Sequence, residues 1–221
     1  MMRAVLTFLL TLQLLAWGQD PHPATGRQPA AVMGMGGAPW LVRPEREAEE
    51  APEEALDAIG ISKGATVADI GAGVGYFTWR LAARVGPAGK VYAVDVQPGM
   101  LQQLRQNMAE RKLTNYEAVL GADDDPRLPV AGVDLALLVD VYHEFSQPRK
   151  MLQKIRASLK PEGRMVLLEY RKEDPKVPIR PEHKMSVAEV KAEIEPEGFR
   201  LEKTLETLPR QHILIFRRNM M

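Results

Sequence analysis

The stretch V-A-D-I-G-A-G-V-G-Y-F, residues 67–77, constrains this chain more than any other. Thr66 to Ile70 is a short apolar run that ends in a glycine turn, the pattern of a buried strand. Asp69 sits near its end, and Gly71, Gly73 and Gly75 crowd the turn. From Tyr76 to Val85, the apolar residues Phe77, Leu81 and Val85 recur at every fourth position, which predicts a helix. Glycines allow a tight turn and let a ligand approach the main chain closely. Strand, glycine turn and helix together make an entry for a nucleotide cofactor. The spacing is G-x-G-x-G, whereas a dinucleotide fingerprint wants G-x-G-x-x-G, and Tyr76 stands where the third glycine would be.

An acid followed by G-x-G-x-G resembles the first motif of the class I S-adenosylmethionine (SAM)-dependent methyltransferases. The resemblance implies an α/β fold with a doubly wound seven-stranded sheet. That sheet is mostly parallel, with an antiparallel C-terminal hairpin strand and helices on both faces. It implies SAM as the cofactor. SAM has no pyrophosphate, so the family's turn cradles the methionine part, here at Asp69, Gly71, Ala72, Gly73 and Gly75.

The remaining parts follow in order. Lys90 to Asp95 reads as the second strand, and Asp95 lies 24 residues past Gly71, near the interval at which nucleotide folds place a ribose acid. Asp95 resembles the family's ribose carboxylate, with Val96 and Gln97 bordering the adenine. Pro98 to Glu110 has a helical stripe of Met100, Leu101, Leu104 and Met108. Tyr116 to Leu120 is the third strand. The resemblance then assigns the adenine amino group to Ala122 and Asp123, with Asp124 as the alternate. The run Asp123-Asp124-Asp125 lacks the alternating spacing of a calcium loop, so no metal is expected there.

Val133 to Val139 is a continuous apolar run, the mark of a central strand covered on both faces. It delivers Asp140, Tyr142, His143 and Glu144 to the ligand edge, where Asp140 counts among the cofactor-side residues. Adjacent residues of an extended segment point opposite ways, so only one of His143 and Glu144 is expected to face an acceptor. His143 is the candidate general base, with Glu144 beside it, because imidazole titrates near neutral pH. The alternative is a structural histidine bonded to backbone. His-Glu-x-x-His fails at Gln147, which removes a zinc-protease reading.

Pro148 to Leu159 is an amphipathic helix, and Lys160-Pro161-Glu162-Gly163 resembles the family's L-K-P-G-G turn. Arg164 to Tyr170 is the fifth strand. In this family the following segment shapes the acceptor pocket, which brings in Arg180, His183 and Lys184, with solvated loop charges as the plainer reading. Ser186 and Glu189 have the spacing of a capping box. Phe199 to Thr207 and His212 to Arg217 close the chain as two strands.

Upstream, Met1 to Arg3 is a short positive start, and Ala4 to Ala16 is a charge-free apolar run of 13 residues. With Ala16 and Gly18 at the cleavage positions, residues 1–18 read as a signal peptide, with an uncleaved membrane anchor as the alternative. Residues 19–39 are rich in Pro, Gly and Ala and read as a disordered linker, with His22 solvated. Residues 40–217 form the methyltransferase-like domain, and Trp40 to Glu45 is placed over the cofactor. Export leaves a puzzle, since SAM is made in the cytosol.

Composition narrows the partners. The 221 residues carry 29 basic and 29 acidic side chains, a balance that argues against a general nucleic-acid binder. There is no cysteine, hence no disulfide, thiolate metal site or thiol chemistry of the arsenite-methylating kind. The expected reaction is direct methyl transfer to a small-molecule acceptor. A non-catalytic envelope protein on the same fold is the alternative, and a nicotinamide oxidoreductase is disfavoured by Tyr76 and the early Asp69.

Overall fold

The computed structural model describes residues 20–219, so the expected signal peptide lies outside the described residues. The strands are β1 (Thr66–Ile70), β2 (Lys90–Asp95), β3 (Tyr116–Leu120), β4 (Val133–Val139), β5 (Leu159–Arg171), β6 (Lys184–Met185), β7 (Phe199–Leu205) and β8 (Gln211–Arg218). The helices are α1 (Arg46–Glu50), α2 (Pro52–Ile59), α3 (Thr78–Val85), α4 (Pro98–Glu110), α5 (Pro148–Ser158) and α6 (Val187–Ile194). The sheet runs β3-β2-β1-β4-β5-β8-β7. Strands β1 to β5 are parallel, and β8 is antiparallel to both of its neighbours. This is the expected doubly wound mixed sheet, with one addition: the two-residue β6, which pairs beside Tyr170 and Arg171.

Alternation along the strands builds two cores. In β1, Val67 faces one layer while Ala68 and Ile70 face the other; in β4, Leu135 and Leu137 oppose Ala136 and Leu138. Leu56 of α2, Leu81 of α3 and Leu104 of α4 cover the first face. Leu152 and Ile155 of α5 and Val190 and Ile194 of α6 cover the second. Both faces of the central strands are therefore dry, which is why β4 reads as an unbroken apolar run. Strand order reverses at β1, which lies between β2 and β4. The crevice at the carboxyl ends of β1 and β4 is where a ligand fits such a sheet.

Some boundaries differ from the sequence reading. Helix α3 starts at Thr78, two residues later than expected, because the glycine turn continues through Phe77. The Ser186–Glu189 capping box is present with both reciprocal hydrogen bonds.

Residues 20–39 are a correction. They form an ordered strap, not a disordered linker. Arg27 donates to both carboxylate oxygens of Glu193 on α6, at 3.0 and 2.8 Å, and to the carbonyl of His143 at 2.9 Å. The Ala30 N–H bonds the same His143 carbonyl, and Gln97 Nε2 donates to the Met33 carbonyl. His22, expected in solvent, is buried beside Glu193. The composition of the strap is linker-like because it has little apolar content. Its order comes from this buried ion pair and from main-chain bonds to loops distant in sequence.

A consequence follows for stability. Glu193 is fully buried, and removing its cation leaves an uncompensated charge, which costs about 3–5 kcal/mol. Arg27→Ala is expected to lose about that much in urea unfolding, and adding Glu193→Gln is expected to restore most of it. Equal stability of Arg27→Ala and the parent would show that the strap does not hold the fold.

Candidate active site

A cavity of about 580 Å³ opens at the carboxyl ends of β1, β2 and β4, within the range of small-molecule sites. The glycine turn forms its floor. Gly71 has φ +75°, and a Cβ there would lie 2.4 Å from Val141 Cγ2. No other residue type fits that crossing of two loops. Gly75, expected among the cofactor residues, lies outside the cavity wall; a Cβ there would meet Leu104 at 3.0 Å, so it packs the turn on α4.

Asp69 on β1 and Asp95 on the neighbouring β2 both border the cavity, with Asp69 in register with Ala93, two residues before Asp95. Asp95 accepts the Gly73 N–H at 2.9 Å and the Gln97 N–H at 2.8 Å, and so shapes both turns at once. Burial raises its pKa, and these N–H groups partly offset that. Asp69 accepts the Thr78 hydroxyl at 2.5 Å. Burial pushes its carboxyl up to about 6, against the Thr78 bond, with help from Asp95. Ala72, Gly73, Val96, Ala122 and Asp123 also border the cavity, whereas Asp124 faces Lys150 at 3.6 Å. Trp40, Leu41 and Arg43 line the mouth, where the segment before β1 was expected.

The raised Asp69 makes a pH prediction. A carboxyl whose folded pKa lies above its unfolded 3.8 contributes stability that is present below that value and lost as pH rises through about 6. At neutral pH the ionised form therefore costs about 3 kcal/mol. Asp69→Asn is expected to melt about 6–12 °C above the parent at pH 7.5, with the difference roughly halved at pH 5. Calorimetric melts of both proteins at the two pH values check this; a difference that grows on acidification would overturn it.

Asp140 takes φ +48° at the end of β4 and is half-buried. Gln211 donates to its Oδ2 at 2.8 Å, while Oδ1 has no partner. Burial, then the nearby Glu50 and Glu169 carboxylates, push its pKa well above the usual carboxylate range. The reversal at Asp140 leads into a 3-10 turn, Tyr142–Glu144. The expectation that His143 and Glu144 point opposite ways is therefore corrected: both line the cavity.

His143 is buried, with Nδ1 2.6 Å from Glu169 Oε2 and Nε2 3.1 Å from His183 Nδ1. Its partners are side chains, which removes the alternative of a backbone-bonded histidine. Burial lowers its pKa, but the Glu169 carboxylate outweighs this and the net shift is upward. Burial raises Glu144 to about 7. Of the loop cations, Arg180 borders the cavity but pairs with Glu182, and Lys184 is buried with its ammonium on the Val177 carbonyl.

Sequence reasoning missed Arg46 and Glu50. They sit in the glutamate-rich run of residues 45–54, whose composition suits a solvated face, yet both are buried and line the cavity. Arg46 Nε donates to Glu50 Oε2 at 2.7 Å, and its guanidinium lies 4.2 Å from the centre of the Tyr76 ring. Tyr76 in place of a third glycine was the available signal, since it supplies the face on which Arg46 rests. The role of Glu169 as the partner of His143 was also missed.

These residues fit SAM. Val96 and Met100 give the cavity apolar lining suited to a base, and Asp95 and Asp69 border the same cavity with carboxyl groups suited to a ribose and a cationic ligand.

Comparison with known proteins identifies the family. The family model described as "Methyltransferase domain" matches residues 61–208. An arsenite methyltransferase of Halobacterium salinarum is 30% identical over 109 residues, covering 48% of this chain and 27% of that protein. A ubiquinone/menaquinone biosynthesis C-methyltransferase of Hahella chejuensis is 30% identical over 118 residues, covering 53% of this chain and 47% of the relative. The chain thus spans half or less of the length of these relatives. A SAM-dependent methyltransferase from Aquifex aeolicus superposes with a TM-score of 0.79 at 28% identity, covering 84% of this chain and 98% of that one. A glycine turn under two strand-end carboxylates, on this sheet and under this family match, means that the chain belongs to the methyltransferase-domain family, with the class I fold and SAM as its cofactor.

Proposed function

We propose that the chain transfers the methyl group of SAM directly to a small, largely apolar acceptor carrying an ionisable O–H or N–H. One observation carries this reading: one cavity is lined both by Asp69 and Asp95 and by His143, Glu144 and His183. The methyl of a sulfonium is already electrophilic, so the protein's work is alignment and exclusion of water. Asp95 holds the ribose diol, Asp69 the cationic methionine part, and Ala122 and Asp123 the adenine. Leu41, Phe145 and Ile179 give the acceptor an apolar wall. Glu169 on Nδ1 leaves the lone pair on His143 Nε2, which meets His183 Nδ1 at 3.1 Å, and this histidine pair takes the acceptor's proton. Chemistry on arsenic thiols is not carried over from the archaeal relative, because the chain has no cysteine.

Titration calorimetry with SAM, S-adenosylhomocysteine and NADH tests the cofactor. Transfer of labelled methyl from SAM to a panel of phenols, hydroquinones and amines tests turnover. Tight SAM binding with no transfer to any of them would favour a binding protein on the same fold. Export is part of the proposal, supported by the apolar run from Ala4 to Ala16 after Arg3. Sequencing the N-terminus of native protein checks it: a start at Gln19 supports export, and an intact Met1 in a cytosolic fraction removes it.

A further inference from the structure

We propose that His143 Nε2, His183 Nδ1 and the Glu144 carboxylate bind one divalent transition-metal ion, of the Zn²⁺, Co²⁺ or Fe²⁺ kind, at the acceptor end of the cavity. One ligand atom from each residue lies within 4.8 Å of the other two. The two imidazole nitrogens are 3.1 Å apart, close to the spacing of about 3.4 Å between ligands of a tetrahedral zinc ion. The rings meet edge to face at 88°, so their nitrogens converge without stacking. Two histidines and one carboxylate with an open side are the donor set of catalytic zinc and non-haem iron sites.

The surroundings support an ion more than a bare histidine pair. Glu169 is fully buried and holds His143 Nδ1, which is how a second carboxylate orients a metal-binding imidazole. Its other oxygen is fixed by the Tyr142 N–H at 3.0 Å. Glu144 and Glu169 give the cluster two carboxylates. Of the nearby guanidinium groups, Arg27 is engaged by Glu193 and Arg180 pairs with Glu182. A shared proton joins only the two histidine nitrogens, whereas a cation engages both together with the Glu144 carboxylate, whose oxygen lies within 4.8 Å of each. The ligands come from two 3-10 turns, Tyr142–Glu144 and Pro181–His183, which are brought together by β4 and by the loop after β5.

This deepens the methyl-transfer reading and rests on it for the ion's purpose, but the binding itself stands apart from turnover. A metal here acidifies a coordinated acceptor hydroxyl. His143 then holds the ion instead of taking the proton, and the proton leaves the coordinated hydroxyl for solvent before the methyl is transferred to the resulting oxyanion. The cavity side of the ion is left for the acceptor oxygen.

The experiment uses the full chain, stripped with a chelator and titrated with Co²⁺. One equivalent of bound Co²⁺ with a visible d–d band, displaced by Zn²⁺, is expected. His183→Ala is expected to weaken binding about a hundredfold or more, and Glu169→Gln about 10- to 100-fold. Near-ultraviolet circular dichroism confirms that each variant is folded, and half-exposed His183 is the substitution least able to disturb the core. No d–d band, or equal Co²⁺ binding in His183→Ala and the parent, would overturn the site and leave a hydrogen-bonded histidine pair. SAM calorimetry on the same stripped chain separates the two readings. SAM binding without Co²⁺ binding removes the metal alone, and Co²⁺ binding without SAM binding removes the cofactor assignment alone.

Discussion

Asp95→Ala is expected to lower the affinity for SAM at least about a hundredfold. Both hydroxyls of a bound ribose need acceptors in a desolvated slot, and each charge-assisted bond contributes about 1.5–3 kcal/mol. Losing two therefore costs about 3–6 kcal/mol, or two to four decades in Kd. A second loss compounds the first, because Asp95 also accepts the Gly73 and Gln97 N–H groups that set the two turns around the ligand. Those donors lie at the cavity, where water replaces the carboxylate, so the melting temperature is expected to change far less than the affinity. Asp95→Asn keeps an acceptor oxygen and is expected to fall between the parent and alanine. Calorimetry with SAM reads all three proteins. A Kd for Asp95→Ala within threefold of the parent would falsify the ribose assignment, and with it the orientation of the cofactor.

Gly71→Ala is expected to be the most destabilising single methyl in the turn. The left-handed conformation costs an L-residue about 1–2 kcal/mol. The new Cβ also lands 2.4 Å from Val141 Cγ2, an overlap that costs about 1–3 kcal/mol once neighbours shift. The sum, about 2–5 kcal/mol, lowers Tm by about 5–15 °C for a domain of this size. The two parts are separable. Val141→Ala in the same chain removes the overlap and leaves the backbone cost, so the double variant is expected to recover about half of the loss. Gly75→Ala, also left-handed at φ +88° but against Leu104 outside the cavity wall, is expected to lose stability while keeping SAM affinity once folded. If Gly71→Ala melts within a degree or two of the parent, the close crossing of the glycine turn and the Val141 loop is wrong.

Much of this molecule was legible along the chain. The strands at Thr66–Ile70, Lys90–Asp95, Tyr116–Leu120 and Val133–Val139 fall where the apolar runs place them. The capping box at Ser186 follows from local backbone chemistry. The carboxylates at the ends of β1 and β2 were found because strand ends and glycine turns leave a one-dimensional trace. The strap was misread for the opposite reason. Its order rests on Arg27 meeting Glu193, 166 residues away, and composition carries no record of such a pair.

By itself, the sequence determined the sheet, the glycine turn and the cofactor side of the cavity, because periodicity and backbone conformation are local properties. Only the tertiary structure decided the other side. His143 meets Glu169 across 26 residues and His183 across 40, and Arg46 reaches the cavity by resting on Tyr76. Those contacts depend on how adjacent strands align and which way a positive φ at Asp140 turns the chain, and neither is written in residue spacing. A pair of neighbouring residues, His143 and Glu144, reads as pointing apart until a 3-10 turn aims both at one point.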